Sequence, residues 1–237
     1  MDRPGSRGHP ARPRTPVHLP TILGPVTDPP EPWDRNDPVT TRTLVIGTDP
    51  ARALATGLGA DWCEVPVAPF DAAWSVGPLL EEWRATTAAG PATPAVVVAA
   101  WTPDLRPSTL VDTGLGQWLE AMEAPFARWF AALTAATQRC ADGGQVVAVV
   151  DRPPPKEAAG WSSLSAVADA VEVLVHSLAE VHRPRGVRVN LVTTPDRLRP
   201  GGPPASAPAS VAGTVSMLLR AGVDGITSAV IPMGAGH

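Results

Sequence analysis

The sequence predicts an α/β domain built on a doubly wound parallel sheet of about six strands with helices on its faces. The first observation is the stretch Gly144–Asn190, which reads as a buried strand, a polar Pro-rich break, a long amphipathic helix and a second buried strand. Such a unit is the crossover that joins two parallel strands. The second observation is PAVVVAAW, a continuous apolar run typical of a strand covered on both faces. The third is that strand and helix patterns alternate from Thr43 onwards.

The first 40 residues differ from the rest of the chain in composition. They are rich in proline, mixed in charge and without apolar periodicity. Proline lacks an N–H group and has a fixed φ angle, so it opposes both helix and sheet. We therefore predict an extended or disordered tail over 1–40 and a single domain over 41–237.

Composition and charge argue against nucleic-acid and membrane partners. A chain of 237 residues that is 44% hydrophobic can bury a sizeable core, and its net charge of −4 gives no basic surface for nucleic acid or anionic lipid. No apolar run approaches the length of a membrane helix, and the N-terminus lacks the order of a secretory signal. We expect a cytoplasmic protein without nucleic-acid or membrane partners. Cys63 and Cys140 lie far apart without metal-ligand spacing, so we expect free thiols and no metal.

The elements before the crossover follow in order. TLVIG predicts a strand that ends in Gly47, and Asp49 and Pro50 suit the cap and first residue of the next helix. DWCEVPV predicts a short strand, which Pro66 places at a sheet edge or strand end. A helix pattern and the PAVVVAAW strand come next. A long helix is then predicted at about 115–139, because apolar side chains recur at helical spacing; this stripe, typical of a core or a subunit contact, comprises Leu119, Met122, Phe126, Trp129, Phe130 and Leu133.

The crossover and the C-terminal elements complete the domain. The crossover helix is predicted at about 162–182, with Val167, Val171, Leu174 and Leu178 on one stripe and Val173 and Val175 off it. A helix that is apolar on more than one side must bury the extra surface against another subunit. A Pro/Gly/Ser loop, a helix (ASVAGTVSMLLRAG) and a last strand (ITSAVIPMGAGH) follow.

This order of elements resembles the short-chain dehydrogenase/reductase family over roughly residues 42–236. The segments that carry the resemblance are TLVIGTDPARALA, the long helix, GQVVAVV, SLAEVHRPRGVRVNLV and ITSAVIPMGAG, the last being similar to the family ending ITG-x-x-I-x-V-D-G-G. The resemblance implies a Rossmann-like domain, and RGVRVNLV is its most specific piece. It also implies that the helices at about 115–139 and 162–182 pack between subunits.

The cofactor half departs from the family pattern. The family's first turn reads G-x-x-x-G-x-G, where glycines let backbone N–H groups approach the dinucleotide phosphates. Gly47 keeps the first position, whereas Ala51 and Ala53 occupy the other two. Only DWCEVPV separates this turn from the next buried strand, so one βα unit of the cofactor half is missing. Trp101 stands where the nicotinamide side needs small residues, and we expect no cofactor, with NAD(P) a doubtful possibility.

The catalytic positions of the family are lost as well. Family catalysis uses Ser, Tyr and Lys with a supporting Asn; aligning GQVVAVVD places these four at Asp151, Leu164, Ala168 and near Pro125. The chain contains no tyrosine, and Lys156 is its only lysine, so a Y-x-x-x-K pair cannot occur. We expect no catalytic residues, with Asp151 as the only residual candidate. A rewired site could also use Asp196, His176 or His182 in acid–base work.

The leading hypothesis is a catalytically degenerate, pseudoenzyme-like protein that acts as a non-catalytic subunit or structural partner of an active oxidoreductase or biosynthetic enzyme. It would form a homo- or hetero-oligomer through the two long helices, for example with an intact paralogue. The alternatives are an atypical NAD(P)-dependent oxidoreductase, or a non-redox lyase or isomerase that uses Asp151. A ligand-sensing regulator on the same scaffold is a third class, which would bind without turnover.

Overall fold

The computed structural model describes residues 42–67, 73–108, 110–198, 208–220 and 225–233. The tail predicted for residues 1–40 lies outside the described residues. The prediction of a single domain over 41–237 stays a prediction.

Six strands form one sheet in the order β2-β1-β3-β4-β5-β6, and every neighbouring pair is parallel. The strands are β1 Thr43–Gly47, β2 Asp61–Glu64, β3 Thr93–Ala99, β4 Cys140–Asp151, β5 Arg188–Thr194 and β6 Val230–Pro232. This confirms the predicted doubly wound α/β fold. The short strand β2 lies at one edge, as the proline after it indicated.

The helices cover the sheet in two layers. They are α1 Arg52–Leu58, α2 Ala73–Ala88, α3 Leu115–Trp118, α4 Ala124–Arg139, α5 Ser162–His182 and α6 Pro208–Leu219. A π-helical turn, Leu119–Glu123, joins α3 to α4, so the long helix predicted at about 115–139 is continuous. Helix α4 packs between α2 and α5, whereas α1 packs on α6. Within the described residues, no helix is long and apolar enough to cross a membrane.

The core lies along the central strands. Valines of β3 and β4 such as Val97 and Val147 are fully buried, because helices cover both faces of these strands. Against this sheet α5 places the stripe that comprises Leu164, Val167, Ala168, Val171, Val175 and Ala179. The prediction that Val175 lies off the buried stripe is wrong, since it stands one turn after Val171 on the same face. Val173 does lie off it and is 66% exposed.

The sheet order also shows the shortened cofactor half. Among the described residues, β2 is the one strand between β1 and β3, and α2 then leads into β3. The turn after β1 consequently lies next to the sheet edge, with only β2 outside it. The predicted loss of one βα unit agrees with this topology.

Candidate functional site

Open parallel sheets place their sites at the carboxyl ends of the strands, where the strand order reverses. Here that point lies between β1 and β3. The side chains that could form a site therefore come from the turns that follow β1, β3, β4 and β5.

The turn after β1 packs tightly against the end of β3. A Cβ atom on Gly47 would stand 2.8 Å from the carbonyl oxygen of Ala99 and 3.0 Å from Cβ of Ala51. The Thr48 hydroxyl donates a 2.5 Å hydrogen bond to the carbonyl oxygen of Trp101, and the Ala51 N–H donates to the carbonyl oxygen of Thr48 at 2.8 Å. Glycine at position 47 is thus explained by strand packing alone.

The charges of this turn come from an acidic residue and an arginine. Asp49 carries a side chain that is 80% exposed, and it is followed by Pro50, which has no N–H group to donate. Arg52 forms ion pairs with Asp49 at 3.3 Å and with Glu64 at 3.0 Å, and its guanidinium lies 5.1 Å from the centre of the Trp62 ring. The turn therefore presents a carboxylate, together with a cation that already has two acidic partners.

The predicted cofactor positions face in different directions. Ala51 is fully buried, where its methyl group packs against Gly47. Ala53 is exposed on the first turn of α1. Of the three predicted positions, only Gly47 and Ala51 are therefore brought together.

Trp101 fills the space beyond the end of β3. Its side chain belongs to the core and is 8% exposed, and its indole N–H donates a 2.7 Å hydrogen bond to the carbonyl oxygen of Val149 in β4. This bond satisfies the indole donor, as buried tryptophans require. The ring thereby bridges the ends of β3 and β4.

Asp151 and Arg197 close the same edge of the sheet. Asp151 is the last residue of β4 and is 2% exposed; its carboxylate accepts a 2.5 Å hydrogen bond from Arg197 Nη1. Arg197 also donates to the carbonyl oxygen of Thr102 at 2.9 Å, and its guanidinium stacks 5.0 Å from the centre of the Trp101 ring. We call Thr48, Trp101, Asp151 and Arg197 the edge cluster. Contacts within this cluster join the turns that follow β1, β3, β4 and β5.

The remaining catalytic positions of the resemblance carry core or packing residues. Pro125 is buried at the start of α4, and Leu164 and Ala168 are 8% and 0% exposed on the inner stripe of α5. None of these three side chains can donate or accept a proton. Asp151 is the sole ionisable group among the four positions, and it is engaged with Arg197.

The two histidines named in the sequence analysis both lie on α5. His176 Nδ1 lies 2.6 Å from Ser228 Oγ, in the turn before β6. His182 ends α5, and burial, with a smaller effect of Arg185, lowers its pKa. The structure thus brings His176 to a serine, a contact that the sequence analysis did not predict. The side chain of Asp196 lies outside the described residues.

The two cysteines are free thiols. Cys63 is half-buried and Cys140 is buried. Burial raises the pKa of Cys63, and burial raises the pKa of Cys140 to about 12. Within the described ranges, no group of three or more His, Cys, Asp or Glu side chains is arranged to hold a metal ion.

Comparison with known proteins finds similarity in structure alone. No protein-family model matches the sequence, and no curated protein matches it. A doubly substituted form of a Serratia marcescens short-chain dehydrogenase/reductase superposes with a TM-score of 0.63 and 17% identity, covering 83% of this chain and 98% of that one. A blue fluorescent protein from a metagenomic library, in complex with NADPH, gives a TM-score of 0.59 and 18% identity over 82% and 97% of the two chains.

A third solved structure, BdcA in complex with NADPH, gives a TM-score of 0.53 and 16% identity over 81% of this chain and 92% of that one. Identities this low establish a shared architecture, while activity depends on the residues at the site. The chain has the fold of the short-chain dehydrogenase/reductases.

Proposed function

We propose that this protein is a non-catalytic relative of the short-chain dehydrogenases, acting as a subunit or structural partner of an active oxidoreductase or biosynthetic enzyme. The edge cluster carries the proposal. Where a reductase would receive the nicotinamide and hold its proton donor, this chain packs Trp101 and Arg197 and neutralises Asp151.

At the nicotinamide end, the residues present do not fit NAD(P). The Trp101 ring is packed and hydrogen-bonded into the place that the family keeps for small residues. Displacing Arg197 to admit a ring would leave the buried Asp151 carboxylate without this cation, which is costly in a low-dielectric environment. The absence of tyrosine from the whole chain removes the usual proton donor as well.

At the diphosphate end, the fit is equally poor. Phosphate sites at helix N-termini use free backbone N–H groups and a favourable positive field. In this turn Pro50 has no N–H, the Ala51 N–H is already bonded to the Thr48 carbonyl, and Asp49 adds a negative charge. We derive no chemical step through a dinucleotide in this protein.

Exposed apolar side chains on the two long helices support the partner role. Phe126 and Phe130, one turn apart on α4, are 38% and 47% exposed, and Leu115 on α3 is 76% exposed. On α5, which packs against α4, Val173 and Val181 are 66% and 65% exposed. Adjacent apolar groups on neighbouring helices are typical of a surface that another protein covers.

Association through these helices can be tested by sedimentation. The purified protein is measured alone and after co-expression with the reductases encoded beside it, and Phe130→Glu is compared with Leu79→Glu on α2, whose leucine is 41% exposed. We expect a dimer or a mixed complex. Phe130→Glu should raise its dissociation constant at least tenfold, whereas Leu79→Glu should leave the dissociation constant unchanged. A monomer under all conditions would contradict the proposal.

The second candidate is an atypical NAD(P)-dependent oxidoreductase. It is favoured by the NADPH complexes among the similar structures and by Asp151 at the carboxyl end of β4, where a base would be placed. A non-redox lyase or isomerase would use the same carboxylate. Either enzyme requires turnover that Asp151→Asn abolishes; if the wild type shows no turnover with a panel of carbonyl substrates, this candidate is rejected.

A further inference from the structure

A serine, a histidine and a glutamate meet between α5 and the turn that precedes β6. His176 Nδ1 lies 2.6 Å from Ser228 Oγ, and His176 Nε2 lies 3.8 Å from Glu172 Oε1. Glu172 is held in place by Arg152, whose Nη1 donates to it at 2.7 Å. With the imidazole proton on Nε2, toward Glu172, Nδ1 accepts the hydrogen bond from the Ser228 hydroxyl.

Ser228 has a backbone conformation that serine rarely adopts. Its φ angle is +59°, in the left-handed region that favours glycine. The sequence at this point reads ITSAVIPMGAG, so the serine stands where the similar ITG pattern has glycine. A non-glycine residue in this region is strained, and strained residues cluster at functional sites. The hydroxyl that the serine adds is the group that contacts His176.

The pair is reachable from solvent beside a hollow. The His176 side chain is 45% exposed, and Ser228 is half-buried. A hollow of about 350 Å³ is lined by Thr227, the residue before Ser228, and by Ala179, one helical turn after His176. Val187, the glycines Gly143 and Gly186 and the arginines Arg183 and Arg188 also line it, so the hollow offers a small ligand both apolar surface and positive charge.

We propose that Ser228 is an activated nucleophile that accepts acyl groups from small esters, with His176 as its base. Ser228 Oγ bonds to the ester carbonyl carbon while its proton passes to His176 Nδ1. The bond between that carbon and the alcohol oxygen then breaks, and His176 returns the proton to the departing alkoxide. The products are an O-acyl serine and a free alcohol, and no oxidant or cofactor takes part.

The backbone N–H groups of Ser228 and Ala229 cannot accelerate this step, because both already donate hydrogen bonds. The N–H of Ser228 donates to the carbonyl oxygen of Val189 at 2.8 Å, and the N–H of Ala229 donates to Asn190 Oδ1 at 3.1 Å. Neither is free to stabilise a tetrahedral oxyanion, a contribution of about 10²–10³ in rate per donor. We therefore expect acylation by activated esters, followed by slow release of the acyl group.

The test uses p-nitrophenyl acetate and p-nitrophenyl butyrate with the full-length protein. We expect a burst of one p-nitrophenolate per chain, with the acyl group found by mass spectrometry on the peptide that contains Ser228. Ser228→Gly and His176→Gln should each slow the burst at least tenfold. Since glycine accepts the native φ angle, Ser228→Gly will fold, and its melting temperature verifies this.

Two matched controls lie on the same helix. Ser177→Ala removes an exposed hydroxyl next to His176, and His182→Gln removes the other histidine of α5; both should leave the burst unchanged. An unaltered burst in Ser228→Gly, acylation of a different residue, or the absence of any burst in the wild type would each overturn the proposal.

Discussion

The carboxyl edge of the sheet and the flank of α5 differ in how their polar side chains are paired and exposed. At the carboxyl edge, where this fold customarily places its chemistry, the ionisable groups Asp151 and Arg197 neutralise each other beneath a buried tryptophan. On the flank of α5, beside the turn that precedes β6, His176 and Ser228 form a solvent-accessible pair. Burial and pairing, rather than position in the fold, therefore decide whether a polar residue can react.

Breaking the edge cluster should have the greatest consequence for stability. Arg197→Met keeps much of the apolar stem over Trp101 but removes the cation from Asp151, which is 2% exposed. Removing one partner of a buried pair leaves a desolvated charge, so we expect the free energy of unfolding to fall by about 3 kcal/mol. Urea denaturation followed by tryptophan fluorescence measures this change.

The double variant Asp151→Asn with Arg197→Met provides the check on cause. Because it removes the buried charge together with its partner, it should be more stable than Arg197→Met alone. Arg183→Met is the exposed control, since its pair with Glu180 has side chains that are 70% and 62% exposed and should contribute less than about 1 kcal/mol. If Arg183→Met and Arg197→Met lowered the free energy of unfolding equally, the buried pair would contribute no more to stability than an exposed ion pair.

A glycine pair tests the packing of the first turn. The added methyl group of Gly47→Ala would stand 2.8 Å from the Ala99 carbonyl oxygen, so we expect a loss of about 2 kcal/mol through overpacking. Gly57→Ala adds the same methyl group within α1, 3.7 Å from Ala212, and should stabilise the protein by about 0.5–1 kcal/mol. Thermal unfolding of both variants compares them, and a neutral Gly47→Ala would mean that the turn is loose enough for a ligand.

Substitutions of the strained serine should change stability least. Ser228→Ala removes the His176 contact but keeps a Cβ at φ +59°, whereas Ser228→Gly removes both the contact and the strain. We expect the glycine variant to be more stable than the alanine variant by about 1 kcal/mol. Chemical denaturation of the two variants gives this difference directly, and the reverse order would argue against strain at this position.

The fold could be predicted from local sequence because its central strands are apolar on both faces. The period and length of the apolar runs were enough to predict two buried strands, PAVVVAAW and GQVVAVV. In the structure these are β3 and β4. The crossover between β4 and β5 followed from the same signals. Val175 was misassigned because the predicted stripe was drawn through Leu174 and Leu178, which lie on the flank of the buried face of α5.

The contacts of the site could be predicted only in part. Trp101 and Asp151 were found because a family pattern assigns those positions to other residues. Arg197 was missed, since it reaches Asp151 across 46 positions from a Pro-rich loop whose local sequence predicts only a turn. No local pattern encodes a pair of that separation.

The pair of Ser228 and His176 was missed for a related reason, although a signal was present. The serine in ITSAVIPMGAG departs from the glycine of the similar ITG pattern, which indicated an unusual backbone position. Only the structure shows that α5 brings a histidine 2.6 Å from its hydroxyl, 52 positions away in the sequence.

A calorimetric titration of the wild-type protein with NADPH distinguishes a closed carboxyl edge from an open one. Because Trp101 and Arg197 fill the nicotinamide end and the turn with Asp49 and Pro50 opposes a diphosphate, we expect no saturable heat even at millimolar nucleotide. A dissociation constant in the micromolar range, lost in the Gly47→Ala variant, would show that the carboxyl edge still holds a dinucleotide and would contradict the non-catalytic role proposed for this protein.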